Sequence, residues 1–169
     1  MRKIIIFNHK MSLLYDDLYN YIERTNNLET DNDIIICPSD IYLEAFVNNS
    51  DWLIGSQNLN YNTDYKHTGE ISTDQLKSLG VEYSIIGHYE RVRDFNENAV
   101  IINNKLIAAL DANIFPILCF GENIDDELIN DIFTQYKKGI KGKFGLGLSI
   151  VKQSLNLYNY NIKAINKEK

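Results

Sequence analysis

The sequence predicts an α/β fold built on a parallel sheet. Short β-branched apolar runs recur along the chain, amphipathic stretches separate them, and the connections are long enough for crossovers. A repeated strand-then-helix order gives parallel strands joined by right-handed crossovers. Binding groups then belong at the C-terminal ends of the strands, where the loops into the helices gather.

The elements follow in order. Lys3–Phe7 is continuous and β-branched, and Asn8 ends it, so it reads as a buried strand. From Ser12 to Asn26, Leu14, Leu18, Tyr21 and Ile22 fall on one helical face. Asp33–Cys37 is a second strand, ended by Pro38, and Ser39 is placed to cap a short helix running through Phe46. Trp52–Gly55 is a third strand, followed by a polar loop from Asn58 to Ser72. Ser72 caps a helix over Thr73–Leu79, and Gly80 ends it. Glu82–Gly87 is a fourth strand. Ala99–Ala112 is a helix with Ile102, Leu106 and Ala109 inward, Phe115–Phe120 a fifth strand, and Asp125–Tyr136 a further helix. The character changes at the basic, glycine-bearing run Lys137–Lys143. Beyond it, Leu148–Tyr158 reads as a helix and Asn161–Asn166 as a short strand. The domain reading is therefore a β/α domain over 1–138 and a helix-strand tail over 139–169 packed on it.

Composition narrows the function classes. Of 169 residues, 44% are hydrophobic and 24% charged, as in soluble globular proteins. A net charge of −6 argues against nucleic acid and anionic lipid, which need clustered Lys and Arg, and suits a basic protein partner. No stretch approaches the ~18 apolar residues of a membrane span. The apolar run of MRKIIIF is too short for a signal peptide. Cys37 and Cys119 sit in apolar runs without metal-ligand spacing and read as buried, reduced thiols. The expected setting is the cytoplasm, with no metal and no cofactor.

The strand ends carry the chemistry. The first delivers Asn8 and Lys10 in FNHKM, the fourth His88, Glu90 and Arg91 in IIGHYER, and the fifth Cys119, Gly121 and Glu122 in PILCFGE. An amine, an imidazole and several carboxylates on one face suit an anionic substrate and proton transfer. From spacing alone, the favoured reading of Lys10 and Glu90 is a solvated ion pair, and of a lone His88 after an apolar strand a structural histidine.

These motifs resemble those of the triosephosphate isomerases. FNHKM is similar to the Asn-x-Lys-Met signature after that family's first strand, and GHYER to its Gly-His-Ser-Glu-Arg-Arg motif. HTGEIS with LKSLGVEYSIIGH resembles the third loop, helix and fourth strand, and ALDANIFPILCFGE the fifth strand and its approach. Order and spacing agree over about residues 1–125. The fold implied is a partial (β/α) barrel of about five β-α units, or an open flavodoxin-like parallel sheet, plus a C-terminal helix and strand.

The resemblance implies roles. Lys10 holds the substrate phosphate, supported by Asn8. His88 polarises the carbonyl of dihydroxyacetone phosphate or glyceraldehyde 3-phosphate, and Glu90 is the second carboxylate near Lys10. Thr68 and Glu70 lie in the dimer loop, which Gln57 and Asn58 begin, and Thr68 reaches toward a partner subunit. Cys119 is a packing cysteine. Four departures stand out. His9 replaces a Trp and is expected to loosen packing; His67 replaces an aromatic and reads as surface. Tyr89 replaces a small Ser and has the bulk to crowd the site, and Val92 removes an Arg. The family's base follows a sixth strand in a segment like Ala-Tyr-Glu-Pro-Val-Trp, and nothing in these residues resembles it or the later phosphate-binding glycine turns.

The tail, GKFGLGLSIVKQSLNLYNYNIKAINKEK, resembles the end of a sensor histidine kinase ATP-binding domain through Gly145, Gly147 and the helix and strand after them. Two functions follow as expectations. One is a triosephosphate isomerase-like protein for a small phosphorylated sugar, inactive or severely impaired because the glutamate segment and the phosphate-binding loops are missing. The other is a non-catalytic chimeric or designed protein that self-associates or binds a basic partner, as an inhibitor or antitoxin does.

Overall fold

The structure is a computed structural model and describes residues 3–119. Five strands form one parallel sheet: β1 (Ile4–Asn8), β2 (Asp33–Cys37), β3 (Leu53–Ser56), β4 (Tyr83–Ile86) and β5 (Phe115–Leu118). Their spatial order is their chain order. That is the order of a barrel wall. The flavodoxin-like alternative requires its first two strands exchanged, so it does not apply. The strands curl into part of a β/α barrel.

Sequential order with right-handed crossovers puts the helices that connect β1 to β4 on the same side of the sheet. The two sides are read from the ladders. Ile4, Ile6 and Asn8 stand opposite Asp33, Ile35 and Cys37. Ile35 stands opposite Leu53, Gly55 opposite Tyr83, and Tyr83 and Ile85 opposite Phe115 and Ile117. Paired residues point the same way, so these form the inner face. The other face carries Ile34, Ile36, Ile54 and Ile86, all buried. Ser56 and Ser84 share that outer face, and Ser56 Oγ donates to Ser84 Oγ at 2.8 Å, satisfying two buried hydroxyls.

The helices are α1 (Leu18–Asn26), α2 (Leu43–Asn49), α3 (Thr73–Leu79), α4 (Tyr89–Asp94) and α5 (Ala99–Asp111). Short 3-10 turns, Tyr15–Asp17 and Asp40–Tyr42, lead into α1 and α2. The first helix therefore starts later than its apolar spacing suggests. Leu14 lies outside it and is exposed, whereas Leu18 and Ile22 are buried. α3 agrees closely with the sequence. Ser72 accepts from the Gln75 N–H while the Gln75 side chain accepts from the Ser72 N–H, and Gly80 closes the helix at φ 97°. α4 has no counterpart among the sequence-predicted elements; at six residues it is too short to show a period.

The described chain forms two compact units. One comprises residues up to Ile86 with Ala108–Leu118; the other comprises Gly87–Ile107 with Cys119. The first holds the sheet and a core that includes Leu18, Phe46, Leu76 and Val81. The tail boundary at 138/139, the helices expected over 125–136 and 148–158, and the strand over 161–166 lie outside the described residues. Among the described residues no helix is long and apolar enough to cross a membrane.

Candidate functional site

In the first unit, β1 runs directly into the loop that carries Lys10. The His9 N–H continues the ladder to Cys37 O at 3.1 Å, and Ser12 turns the chain by donating to His9 O from both N and Oγ. Lys10 then adopts φ 52°, a left-handed conformation costly for a residue with a Cβ. Asn8 makes that conformation tenable. Its Oδ1 accepts the Lys10 N–H at 3.0 Å, so the side chain replaces a backbone turn partner. Gln57, at the end of β3, closes the arrangement. Its Nε2 donates to Lys10 O at 2.9 Å and Cys37 O at 3.1 Å. Asn8 and Gln57 thus hold the Lys10 backbone from two sides. The role of Gln57 was not legible in the sequence, where it marked only the start of a loop.

His9 does not loosen packing. Its Nε2 lies 2.9 Å from the Tyr21 hydroxyl, and its ring meets Tyr21 and Phe46 edge-on at centroid separations of 4.7 and 5.5 Å. A polar, smaller ring fills the place because Tyr21 offers a hydrogen bond. His9 Nδ1 is buried without a hydrogen-bond partner, and burial holds the imidazole pKa below its ordinary value.

The polar loop behaves as an open surface feature. Thr68 and His67 are exposed, and His67 Nε2 lies 3.1 Å from Asp64 Oδ1. Glu70 accepts from Asn60 Nδ2 at 3.0 Å, while Asn58 is half-buried. Tyr65, at φ 57°, donates its hydroxyl to Asp74. His67, Glu70, Asn60, Tyr65, Asp74 and Gln75 are among the residues that border a cleft of roughly 530 Å³, to which neither Asn8 nor Lys10 contributes.

The second unit carries the imidazole. Gly87 has φ 74°, and a Cβ there would lie 2.9 Å from Cys119 O, so the turn into His88 requires glycine twice over. His88 caps α4: its Nδ1 accepts the Glu90 N–H at 3.3 Å and lies 3.4 Å from Glu90 Oε2. With Nδ1 occupied as an acceptor, Nε2 is the ring nitrogen left to donate. His88 and Glu90 are thereby brought together. Tyr89 is exposed and turned outward, with the Arg93 guanidinium 5.3 Å from its ring centroid, so its bulk is accommodated in solvent. Val92 is exposed as well. Cys119 is only half-buried, unlike the fully buried Cys37, and burial raises its thiol pKa. Neither thiol is part of a disulfide.

A buried charge cluster beneath α4 escaped sequence reasoning. Glu97 Oε1 accepts from Arg91 Nε at 2.7 Å and from Lys105 Nζ at 2.6 Å, and the Glu97 and Lys105 side chains are both 4% exposed. The available signal was a lysine within the stripe Ile102, Leu106, Ala109, where an inward charge demands a partner. Among the described residues no group of three or more His, Cys, Asp or Glu stands together as a metal site.

A curled, sequentially ordered parallel sheet with helices in its connections defines a protein of the β/α-barrel class. The chain belongs to the triosephosphate isomerase family, which it matches over residues 3–145. It is 35% identical to the triosephosphate isomerase of Alkaliphilus oremlandii over 150 residues, 85% of this chain and 60% of that protein. Against the Clostridium beijerinckii enzyme it is 34% identical over 131 residues, 74% of this chain and 53% of the relative. Against that of Clostridium botulinum type A it is 33% identical over 150 residues, 86% and 59%. The chain thus spans a little over half the length of the curated relatives it matches. The match runs through the basic run at 137–143 to residue 145. The kinase-like resemblance beyond it lies outside the described residues.

Proposed function

We propose that this chain serves the interconversion of dihydroxyacetone phosphate and glyceraldehyde 3-phosphate. The observation that carries the reading is the pair of backbone arrangements at the two motifs. Asn8 and Gln57 hold Lys10 at φ 52°, and Glu90 N–H fixes the ring nitrogen of His88. The Lys10 ammonium supplies positive charge for a phosphate and for the oxyanion that develops on the substrate. The His88 Nε2–H donates to the carbonyl oxygen. Triosephosphate isomerase is itself the standard case of a neutral imidazole acting as electrophile beside a glutamate base. Glu90, next to the ring in space, keeps its orientation. Thr68 and Glu70 serve subunit pairing through the exposed loop. Family membership favours this reading over a module that docks a basic protein.

An enediolate forms only when a base removes a carbon-bound proton. No segment of the 169 residues resembles the family's glutamate motif. Loss of a positioned base costs ~10²–10⁴-fold in rate. The 169-residue polypeptide by itself is therefore a slow isomerase. A coupled assay on the purified chain tests this. We expect turnover above buffer, at least ~10²-fold below a full-length relative, that falls to the buffer rate in Lys10→Ala and in His88→Ala. A rate equal to buffer, or one unchanged by either substitution, contradicts the reading.

A further inference from the structure

We propose that Glu97 is a positioning residue for His88, on the reading of His88 as the electrophile: its buried carboxylate clasps Arg91 and so fixes the short helix that the imidazole caps. α4 is six residues long, well below the ~12–15 that a helix needs to stand by itself in water. None of the six is buried, and Tyr89, Val92 and the C-cap Phe95 are exposed. Packing of an apolar face is what ordinarily seats a helix, and α4 buries no such face. The direction in which its N-cap presents the ring is therefore set by polar ties.

Arg91 carries those ties. Its N–H donates to His88 O at 2.8 Å, and its own carbonyl accepts from Phe95 N at 3.1 Å and Glu97 N at 3.3 Å. Its guanidinium carbon lies 4.2 Å from the Phe95 ring centroid, and its Nε donates to Glu97 Oε1 at 2.7 Å. Glu97 thus grips Arg91 through backbone and side chain alike. The same Oε1 accepts from Lys105 Nζ at 2.6 Å, and Lys105 belongs to α5. The clasp runs from α5, through one carboxylate oxygen, to the residue that binds the His88 carbonyl. Bonds between charged, buried groups are the strong and directional ones. Among the described residues Glu97 Oε2 has no hydrogen-bond partner, so the carboxylate has no second contact to fall back on when Arg91 is lost. The effect is felt at His88 Nδ1. Its bond from the Glu90 N–H, at 3.3 Å, is already long and survives only while α4 keeps its place.

Ring nitrogen-15 spectra and amide hydrogen exchange, read by NMR on the 169-residue chain without substrate, test this. In the parent, the two ring nitrogens of neutral His88 are expected to lie well apart, as one tautomer requires. Arg91→Leu is expected to draw the two resonances together as the tautomers mix, and to speed exchange of the Glu90 amide at least ~10-fold. That variant leaves the Glu97–Lys105 pair intact, and retained amide protection in α5 shows that it is folded. Glu97→Gln is expected to change His88 in the same way. Lys105→Met separates positioning from stability. It breaks a buried pair in the same cluster but leaves Glu97 on Arg91, so it lowers the unfolding midpoint with the His88 signals unchanged. Unaltered His88 signals in Arg91→Leu overturn the proposal. Equal changes in Lys105→Met do so as well, because the cluster would then act on stability alone. Should the His88 signals follow these expectations while the coupled assay finds no isomerase turnover, the clasp stands and the catalytic reading fails.

Discussion

Lys10 and His9 are neighbours with opposite demands: one is held outward in a strained conformation, the other is packed among aromatic rings. Burial of the His9 ring in this loop disfavours its charged form. Its imidazole pKa is lowered by burial from the ordinary value of about 6.5, so the unfolded chain takes up a proton at a higher pH than the folded one. The neutral ring contributes stability fully above pH ~6.5, and that contribution is lost as pH falls through the lowered folded value. Urea midpoints measured from pH 7.5 to 5 are expected to drop on the acid side, and His9→Phe is expected to flatten that slope. A variant with the same slope as the parent would remove His9 from the account.

The buried carboxylate Glu97 gives a second prediction at this scale. Breaking a buried ion pair from one side costs about 3–5 kcal/mol, because the remaining charge is left without a partner. Glu97→Ala is thus expected to destabilise strongly, and adding Lys105→Met to recover part of the loss, read as a double-mutant cycle in denaturant unfolding. Such a cluster is hard to see in a sequence. Arg91 and Lys105 are both ordinary surface residues by type, and only folding shows that they share one oxygen. Asn8 and Lys10 were singled out in the sequence through their motif, and the structure joins them by the bond from Lys10 N–H to Asn8 Oδ1. Gln57 was legible only as a position, since its bonds to Lys10 and Cys37 span 47 and 20 residues.

At the scale of elements, legibility follows the length and regularity of the local signal. β2 is a run of three isoleucines and α3 carries both a capping box and a closing glycine, and both stand where the sequence puts them. α1 is shortened because Ser12 bonds back to His9 O and draws the chain into a turn, a local bond that competes with helix. Ser72→Ala removes the Gln75 N–H acceptor and is expected to cost about 1 kcal/mol, measured by thermal or urea unfolding. Gly55→Ala tests the inner face of the sheet. Its Cβ would sit 2.8 Å from Cys37 Sγ and 3.1 Å from Tyr83 Cβ, so overpacking of about 1–3 kcal/mol is expected. A neutral outcome there would mean that β2 to β4 pack more loosely on that side than the register implies.

For the molecule as a whole, the parallel order was readable from the alternation of runs, but the choice between a barrel wall and an open sheet was not. That choice depends on which strands pair, a non-local matter that periodicity does not carry. Sequential order decides it, and in the chain the amine motif follows the first strand and the imidazole motif the fourth. The central claim is that these two motifs retain affinity for a triose phosphate. Backbone and imidazole NMR spectra of the 169-residue chain, titrated with dihydroxyacetone phosphate, test it most directly. The account predicts saturable shifts at Lys10 and at the His88 ring that disappear in Lys10→Ala. Spectra that stay unchanged at millimolar ligand, or shifts that persist unaltered in the variant, would contradict it.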